Sequence, residues 1–289
     1  MGTPFLYLAT ILIWGTTWIA ITYQLGSATA TTSVMLRFAL ASVLLFVWCG
    51  LRKIPLRLTG GQHLRVAAQG ACLFGVNLLL IYLAEARIPS GVVSVIFTTL
   101  VPMNLIGARL IFKTPISLRT LGGAALGLAG VALVFWPELG SVASLSKSLA
   151  GLGFTLAGTA FACAGNLMSA RNQKAGMPIL QTNAYGMAYG AATVGVIGLL
   201  SGHSFAVIWG PAYAVSLGYL AVFGSVLAFG AYLTLIGRIG AGRAAYTGVL
   251  FPLVALGIST VWEHYHWTPS ALAGMGCCVA GSVLMNFRR

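Results

Sequence analysis

Ten apolar stretches follow one another along this chain, and each is near the roughly 20 residues that a bilayer core requires. Only short connections separate these stretches. The chain is 58% hydrophobic and 7% charged, with a mean hydropathy of +0.94, which is more apolar surface than a soluble domain can cover. The pattern predicts an all-α polytopic membrane protein whose ten transmembrane helices lie at 4–24, 31–51, 64–86, 90–112, 117–136, 149–170, 178–200, 212–236, 243–263 and 268–287.

The 16 lysines and arginines are distributed unevenly across this predicted bundle. If the N-terminus lies inside, only Arg87 and Lys147 fall outside, and Arg37 falls within the second helix. The rest lie at cytoplasmic connections, as the positive-inside rule expects: Arg52, Lys53, Arg57, Arg65, Arg109, Lys113, Arg119, Arg171, Lys174, Arg238, Arg243, Arg288 and Arg289. We therefore attribute the net charge of +13 to the orientation of the chain in the membrane. The expected partner is the lipid bilayer, and no nucleic-acid partner is expected. The predicted location is a bacterial inner membrane, spanned many times, with both termini cytoplasmic.

A repeat organises the chain into two halves. The segment 86–91, ARIPSG, recurs as GRIGAG at 237–242, 151 residues later. At the same offset two glycines recur, and after a slip of one residue Pro102 corresponds to Pro252. We predict two five-helix repeats, 1–140 and 141–289, forming one transmembrane domain. Because five is odd, the second repeat is inverted, as in many secondary transporters. Each proline removes a backbone hydrogen bond inside a helix, so both are predicted hinges.

Acidic residues are scarce, and this limits the chemistry. The chain has no aspartate and only three glutamates, Glu85, Glu138 and Glu263. It also lacks a P-loop, so an ATP-driven pump is excluded and an enzyme is disfavoured. No cofactor is expected. The Glu263 to His266 run matches no standard zinc pattern, so no metal is predicted. All three glutamates are expected near outer helix ends with access to water, which leaves no embedded carboxylate for proton exchange.

Arg37 is the one cation predicted inside a helix. A central arginine costs about 2.5–3.5 kcal/mol on insertion scales, so it must be compensated. Two interpretations remain open. The side chain either extends to the outer interface or faces a cavity and meets a substrate carboxylate.

Aromatic and amide side chains are also placed deep in the predicted helices, where they need partners. Pairs such as Trp14 and Trp18 share one helix face. Aromatic walls with a few amides and little charge suit an aromatic or zwitterionic solute. The predicted substrate-binding residues are Trp14, Trp18, Arg37, Asn77, Tyr82, Asn166, Tyr185, Tyr232 and Tyr246.

Several of these residues lie in short motifs that resemble those of a known protein family. The run IWGTTW at 13–18, LRF at 36–38, the paired prolines, and the Glu263 turn with the glycines that follow resemble the EamA-type drug/metabolite transporter (DMT) superfamily. Within it the chain looks most similar to the YddG-type aromatic amino acid exporters. The resemblance implies a basket-shaped carrier whose cavity is formed by helices one to four and six to nine, with helices five and ten peripheral. The first half departs from the second, because Phe112 and Lys113 stand where the second half has Trp262 and Glu263.

The function predicted from all this is secondary transport. We expect the chain to export small amphipathic metabolites, foremost aromatic amino acids, by alternating access and without ATP. A broad-specificity drug/metabolite exporter and a proton-coupled antiporter of the small-multidrug type are the alternatives. A small-molecule substrate is the expected partner, and the chain is expected to function as a monomer. A membrane scaffold is disfavoured because the loops are minimal.

Overall fold

The structure, a computed structural model, describes residues 2–113, 115–139, 142–244 and 247–286. Within these ranges it is helical, and only isolated bridges, between Leu25 and Ala28 and between Ala28 and Val207, have β geometry. The long helices are α1 Thr3–Thr22, α2 Ala30–Leu51, α3 Gly60–Glu85, α4 Ser90–Phe112, α5 Leu118–Phe135, α6 Val142–Lys174, α7 Ile179–Leu200, α8 Pro211–Ile239, α9 Thr247–Trp262 and α10 Pro269–Asn286. A helical turn, Ala241–Ala244, precedes α9.

Seven of the described helices are long and apolar enough to cross a membrane: α1 to α6 and α8. The apolar parts of α9 and α10, Leu250–Trp262 and Pro269–Gly281, are shorter. The structure therefore supports a polytopic helical membrane protein, and the count of ten spans stays a prediction.

Local sequence signals fix several helix ends. The Thr59 side chain accepts a hydrogen bond from the Gln62 backbone N–H (3.3 Å), and the Gln62 side chain accepts one from the Thr59 N–H (2.8 Å). This capping box satisfies two backbone donors at the start of α3. As a result α3 begins at Gly60, four residues before the apolar stretch that was used to predict it.

Three helices depart from regular α geometry in their interiors. Residues Ala71–Val76 of α3 and Leu220–Leu227 of α8 are π-helical. Shifted by the 151 residues of the sequence repeat, the first segment falls within the second. In α4, Phe97–Thr99 form a 3₁₀ turn just before Pro102, whose ring displaces the carbonyl of the residue four positions earlier. Pro252 lies inside α9, which continues through it.

The helices pack in a regular set of pairs. α1 packs on α8 and α9, while α6 packs on α3 and α4. α2 packs on α7, α4 on α9, and α5 on α10. These contacts leave a central space between α1, α3, α4, α6, α8 and α9.

The α5–α10 pair is built on glycines. A Cβ at Gly130 would lie 2.5 Å from the Gly274 carbonyl oxygen, and one at Gly281 would lie 2.5 Å from that of Gly123. The two backbones can approach this closely only because these residues lack side chains. The four glycines are the ones matched by the sequence repeat, and they join α5 to α10.

Candidate functional site

A cavity of about 60 Å³ lies between the helices. Its walls come from α1, α2, α3, α4, α6, α8 and α9, with no lining residue from α5, α7 or α10 among the residues that the structure describes. The lining residues are Trp14, Thr17, Trp18, Ile21, Arg37, Leu73, Asn77, Leu78, Ile81, Phe97, Leu100, Ala162, Asn166, Phe229, Tyr232 and Phe251.

Aromatic rings form one continuous wall of this cavity. The Trp14 ring lies with its centroid 4.8 Å from that of Tyr232 and 5.0 Å from that of Phe229. The Trp18 ring stacks on Phe251 at 5.5 Å and meets Phe97 edge-on at 5.7 Å. These distances are those at which aromatic pairs attract one another. The wall thus offers an apolar surface with ring faces and edges on which a flat solute can pack.

The π-helical segment of α8 connects this wall to the cation. Trp14 donates its indole N–H to the Gly224 carbonyl oxygen (3.2 Å), and Arg37 donates its Nε–H to the Ser225 hydroxyl (2.9 Å). Ser225 in turn donates to the Leu220 carbonyl oxygen (2.9 Å). A π-helical turn displaces backbone carbonyls from the regular ladder, and such turns occur frequently at functional sites. Here the turn holds two cavity side chains in place.

Arg37 lines the cavity. Its side chain is 2% exposed, so it does not extend to the interface. The guanidinium carbon lies 5.2 Å from the Phe38 ring centroid. Its Nη1 group is buried without a hydrogen-bond partner. Nη1 is therefore a buried donor, on a residue that lines the cavity, whose hydrogen bond is not made within the described residues.

The amides add acceptors. Asn166 donates to the Tyr232 hydroxyl (3.1 Å), and Asn77 donates to the Leu73 carbonyl oxygen (3.1 Å). The Oδ1 atom of each amide is buried without a partner, as is the indole N–H of Trp18. The cavity residues therefore carry two free donors, on Arg37 and Trp18, and two free acceptors. A solute with both a carboxylate and an ammonium group would satisfy both kinds.

Two predicted binding residues do not line the cavity, and a third is not described by the structure. Tyr82 is buried away from the cavity lining and donates to the Gln24 side-chain oxygen (2.9 Å). Tyr185 donates to the Leu56 carbonyl oxygen (3.0 Å), and the His63 ring lies edge-on to it at 4.8 Å. Tyr246 lies outside the described residues.

The prediction also omitted three rings that line the cavity, Phe97, Phe229 and Phe251. Phe229 shares a helix face with Tyr232, and that spacing was the available signal. Phe97 and Phe251 precede the two repeat-related prolines, but nothing in the local sequence shows that they face inward.

Of the three glutamates, Glu85 differs from expectation. Glu85 was expected to reach water, but its side chain is 7% exposed and neither carboxylate oxygen has a hydrogen-bond partner. Glu263 accepts hydrogen bonds from the Ser90 backbone N–H (3.2 Å), the Ser90 hydroxyl (2.5 Å) and the Ser259 hydroxyl. Glu263 therefore caps the N-terminus of α4 from the end of α9. The side chain of Glu138 lies outside what the structure describes.

In the described ranges, no group of three or more histidine, cysteine, aspartate or glutamate side chains is placed to hold a metal ion.

Comparison with known proteins places the chain among membrane transporters. It is 27% identical over 257 residues to the uncharacterized inner membrane transporter YedA of Escherichia coli K12, covering 87% of this chain and 80% of that protein. The YedA proteins of E. coli strains CFT073 and O157:H7 match equally well. A solved crystal structure shares the fold with a TM-score of 0.75 at 14% identity, over 98% of this chain and 96% of that one. The EamA-like transporter family matches twice, at residues 2–136 and 150–287, and the chain therefore belongs to this family.

Proposed function

We propose that this chain is an inner-membrane secondary transporter that exports small amphipathic metabolites, with aromatic amino acids as the preferred substrates. Membership of a transporter family supports the transport activity. The name of the E. coli relative, an inner membrane transporter, supports the location. The choice of substrate depends on the cavity.

One observation carries the substrate class: an aromatic wall stands beside buried polar atoms that have no partner. Arg37 and Trp18 offer donors for a carboxylate, while the Oδ1 atoms of Asn77 and Asn166 offer acceptors for an ammonium group. Each buried polar group without a hydrogen-bond partner costs free energy. A zwitterion with a flat side chain would provide partners for the donors and for the acceptors at the same time. A purely cationic solute would leave Arg37 unpaired and would be repelled by it.

Alternating access between inverted halves is the proposed mechanism. The helix pairings support this mechanism, because the two halves make equivalent contacts. If helices one to five are matched in order to helices six to ten, the contacts of α1 with α8 and α9 correspond to those of α6 with α3 and α4. The pairs α2–α7, α4–α9 and α5–α10 each join a helix to its counterpart in the other half. The two π-helical segments and the two family matches follow the same division. In secondary transporters, substrate sites lie at such a repeat interface, formed by discontinuous helices.

Counterflow in proteoliposomes tests the proposal. Vesicles loaded with unlabelled L-tryptophan should accumulate labelled L-tryptophan and L-phenylalanine, and excess external tryptamine, which lacks the carboxylate, should compete only weakly. Protein-free vesicles and vesicles with heat-denatured protein are the controls. Accumulation of cationic dyes in place of amino acids would contradict the proposal and favour a drug exporter. If folded protein supported counterflow of neither amino acids nor cationic dyes, both the amino acid exporter and the drug exporter would be excluded.

A further inference from the structure

The N-terminus of α4 and the C-terminus of α9 are joined by hydrogen bonds to Glu263. Its Oε1 atom accepts from the Ser90 backbone N–H (3.2 Å), and its Oε2 atom accepts from the hydroxyls of Ser90 (2.5 Å) and Ser259. The helices also touch closely here, since a Cβ added at Gly91 would lie 2.8 Å from Leu256 Cδ2 and 2.9 Å from Ser259 Cβ. We call this contact the Glu263 junction. It joins the two halves, because α4 lies in the first family match and α9 in the second.

The Glu263 junction lies beyond one end of the aromatic wall. Phe97 of α4 and Phe251 of α9 both line the cavity, and their ring centroids are 6.4 Å apart. Along its own helix, each ring lies about two turns from the junction, or roughly 10–12 Å at 1.5 Å per residue. α9 packs on residues 90–99 of α4, whereas the rest of α4 packs mainly on α6 and on the helical turn Ala241–Ala244. The two helices therefore converge at the junction, on the side of the cavity where Arg87 precedes α4.

The two halves differ in chemistry at this contact. The repeat matches Ser90 to Ala241, and in the register of the two prolines it matches Glu263 to Lys113. Ala241 has no hydroxyl, and a lysine side chain has no acceptor. The matched pair at the other end of the bundle therefore forms neither of the side-chain hydrogen bonds that Glu263 makes with Ser90.

We propose that the Glu263 junction is a latch that holds α4 and α9 together and biases the carrier toward a conformation closed on the side of Arg87. This role rests on the alternating access of the proposed function. If the two inverted halves were identical, the two access states would be equally populated, so a bias must come from residues that differ between them. A carboxylate held by two hydroxyls and a backbone N–H is such a difference, because charge-assisted hydrogen bonds are strong. In the predicted orientation the closed side is the outside, so the resting carrier opens to the cytoplasm, where an exporter takes up its substrate.

Thiol labelling of a cysteine in the cavity tests the latch without any substrate. After the native cysteines are replaced, Ala162→Cys, at a residue that lines the cavity, reports access to an impermeant reagent added to intact cells or to inside-out vesicles. A single cysteine beside Arg87 identifies the latch side. Glu263→Ala should raise the labelling rate from that side by about tenfold or more and should not raise it from the other side. Ser90→Ala removes one of the three donors and should raise it by about three- to tenfold.

Ser94→Ala is the matched control. Ser94 is also a buried serine of α4, but its hydroxyl donates within the helix, to the Gly91 carbonyl oxygen (2.6 Å). Its substitution should leave labelling from both sides at the native rate. If Glu263→Ala does not accumulate in the membrane, Ser90→Ala decides the question.

Three results would overturn the latch. Equal increases from both sides, with a lower melting temperature, would show that Glu263 only caps α4. Unchanged labelling in Glu263→Ala and Ser90→Ala would show that the junction does not limit access. An increase confined to the side opposite Arg87 would show that the bias has the other sign. Absence of counterflow, in contrast, would count against the proposed function, because the labelling is measured without substrate.

Discussion

Replacement of Arg37 by glutamine gives the sharpest test of the cavity. The arginine is 2% exposed, its Nε–H is already committed to Ser225, and its Nη1 group is free. If that free donor meets the substrate carboxylate, the substitution removes one hydrogen bond to a charged group, worth about 1.5–3 kcal/mol. Because each 1.4 kcal/mol is tenfold in affinity, L-tryptophan should bind about 10- to 150-fold more weakly.

A substrate without the carboxylate separates charge recognition from structural damage. Tryptamine carries the same ring and amine but no carboxylate for Arg37 to bind, so its affinity should not fall and should rise as the repulsion between Arg37 and its ammonium group is removed. Calorimetry or scintillation proximity on purified protein would measure both ligands. Arg37→Lys should retain part of the binding, since it keeps the charge but loses the planar fork.

Two results would refute this reasoning. An equal loss for L-tryptophan and tryptamine would show that Arg37 shapes the cavity without recognising the carboxylate. Unchanged affinity for L-tryptophan, in a variant with native abundance and melting temperature, would show that the carboxylate binds elsewhere. Arg87→Gln should leave both affinities unchanged.

Three further predictions concern the bundle itself. After native cysteines are replaced, a single cysteine placed beside Arg87 should react with an impermeant thiol reagent on intact cells, and cysteines at the predicted cytoplasmic connections should not. Labelling at the cytoplasmic connections but not beside Arg87 would overturn the predicted orientation. Pro102→Ala and Pro252→Ala each restore a backbone donor and should slow counterflow while leaving substrate affinity within about threefold of the native value. The two substitutions should also shift the accessibility of cysteines in the cavity in opposite directions. Identical shifts would show that the prolines contribute to packing and not to hinge motion. Gly130→Ala places a Cβ 2.5 Å from a carbonyl oxygen of α10 and should destabilise the protein by about 1–3 kcal/mol in detergent melts, whereas Gly127→Ala, with nothing within 4 Å, should not; equal melting temperatures would show that the α5–α10 contact tolerates a methyl group.

The sequence determined the helical architecture closely. Apolar length alone placed the second helix at 31–51 and the fourth at 90–112, against Ala30–Leu51 and Ser90–Phe112 in the structure. The repeat-related glycines were found in sequence and meet across α5 and α10. Polar residues within apolar stretches were equally visible, and six of the nine predicted binding residues line the cavity. These signals are strong because a bilayer demands long apolar helices and because buried polar groups need partners.

Only the tertiary structure decided which side chains converge. In a membrane bundle the lipid-facing and buried surfaces are both apolar, so periodicity does not show which face of a helix turns inward. For that reason Phe97 and Phe251 were missed, and Tyr185 was assigned to a cavity it does not line. The π-helical turn that positions Arg37 has no local sequence signature. The burial of Glu85 depends on packing between helices distant in sequence, so only the folded bundle could show it.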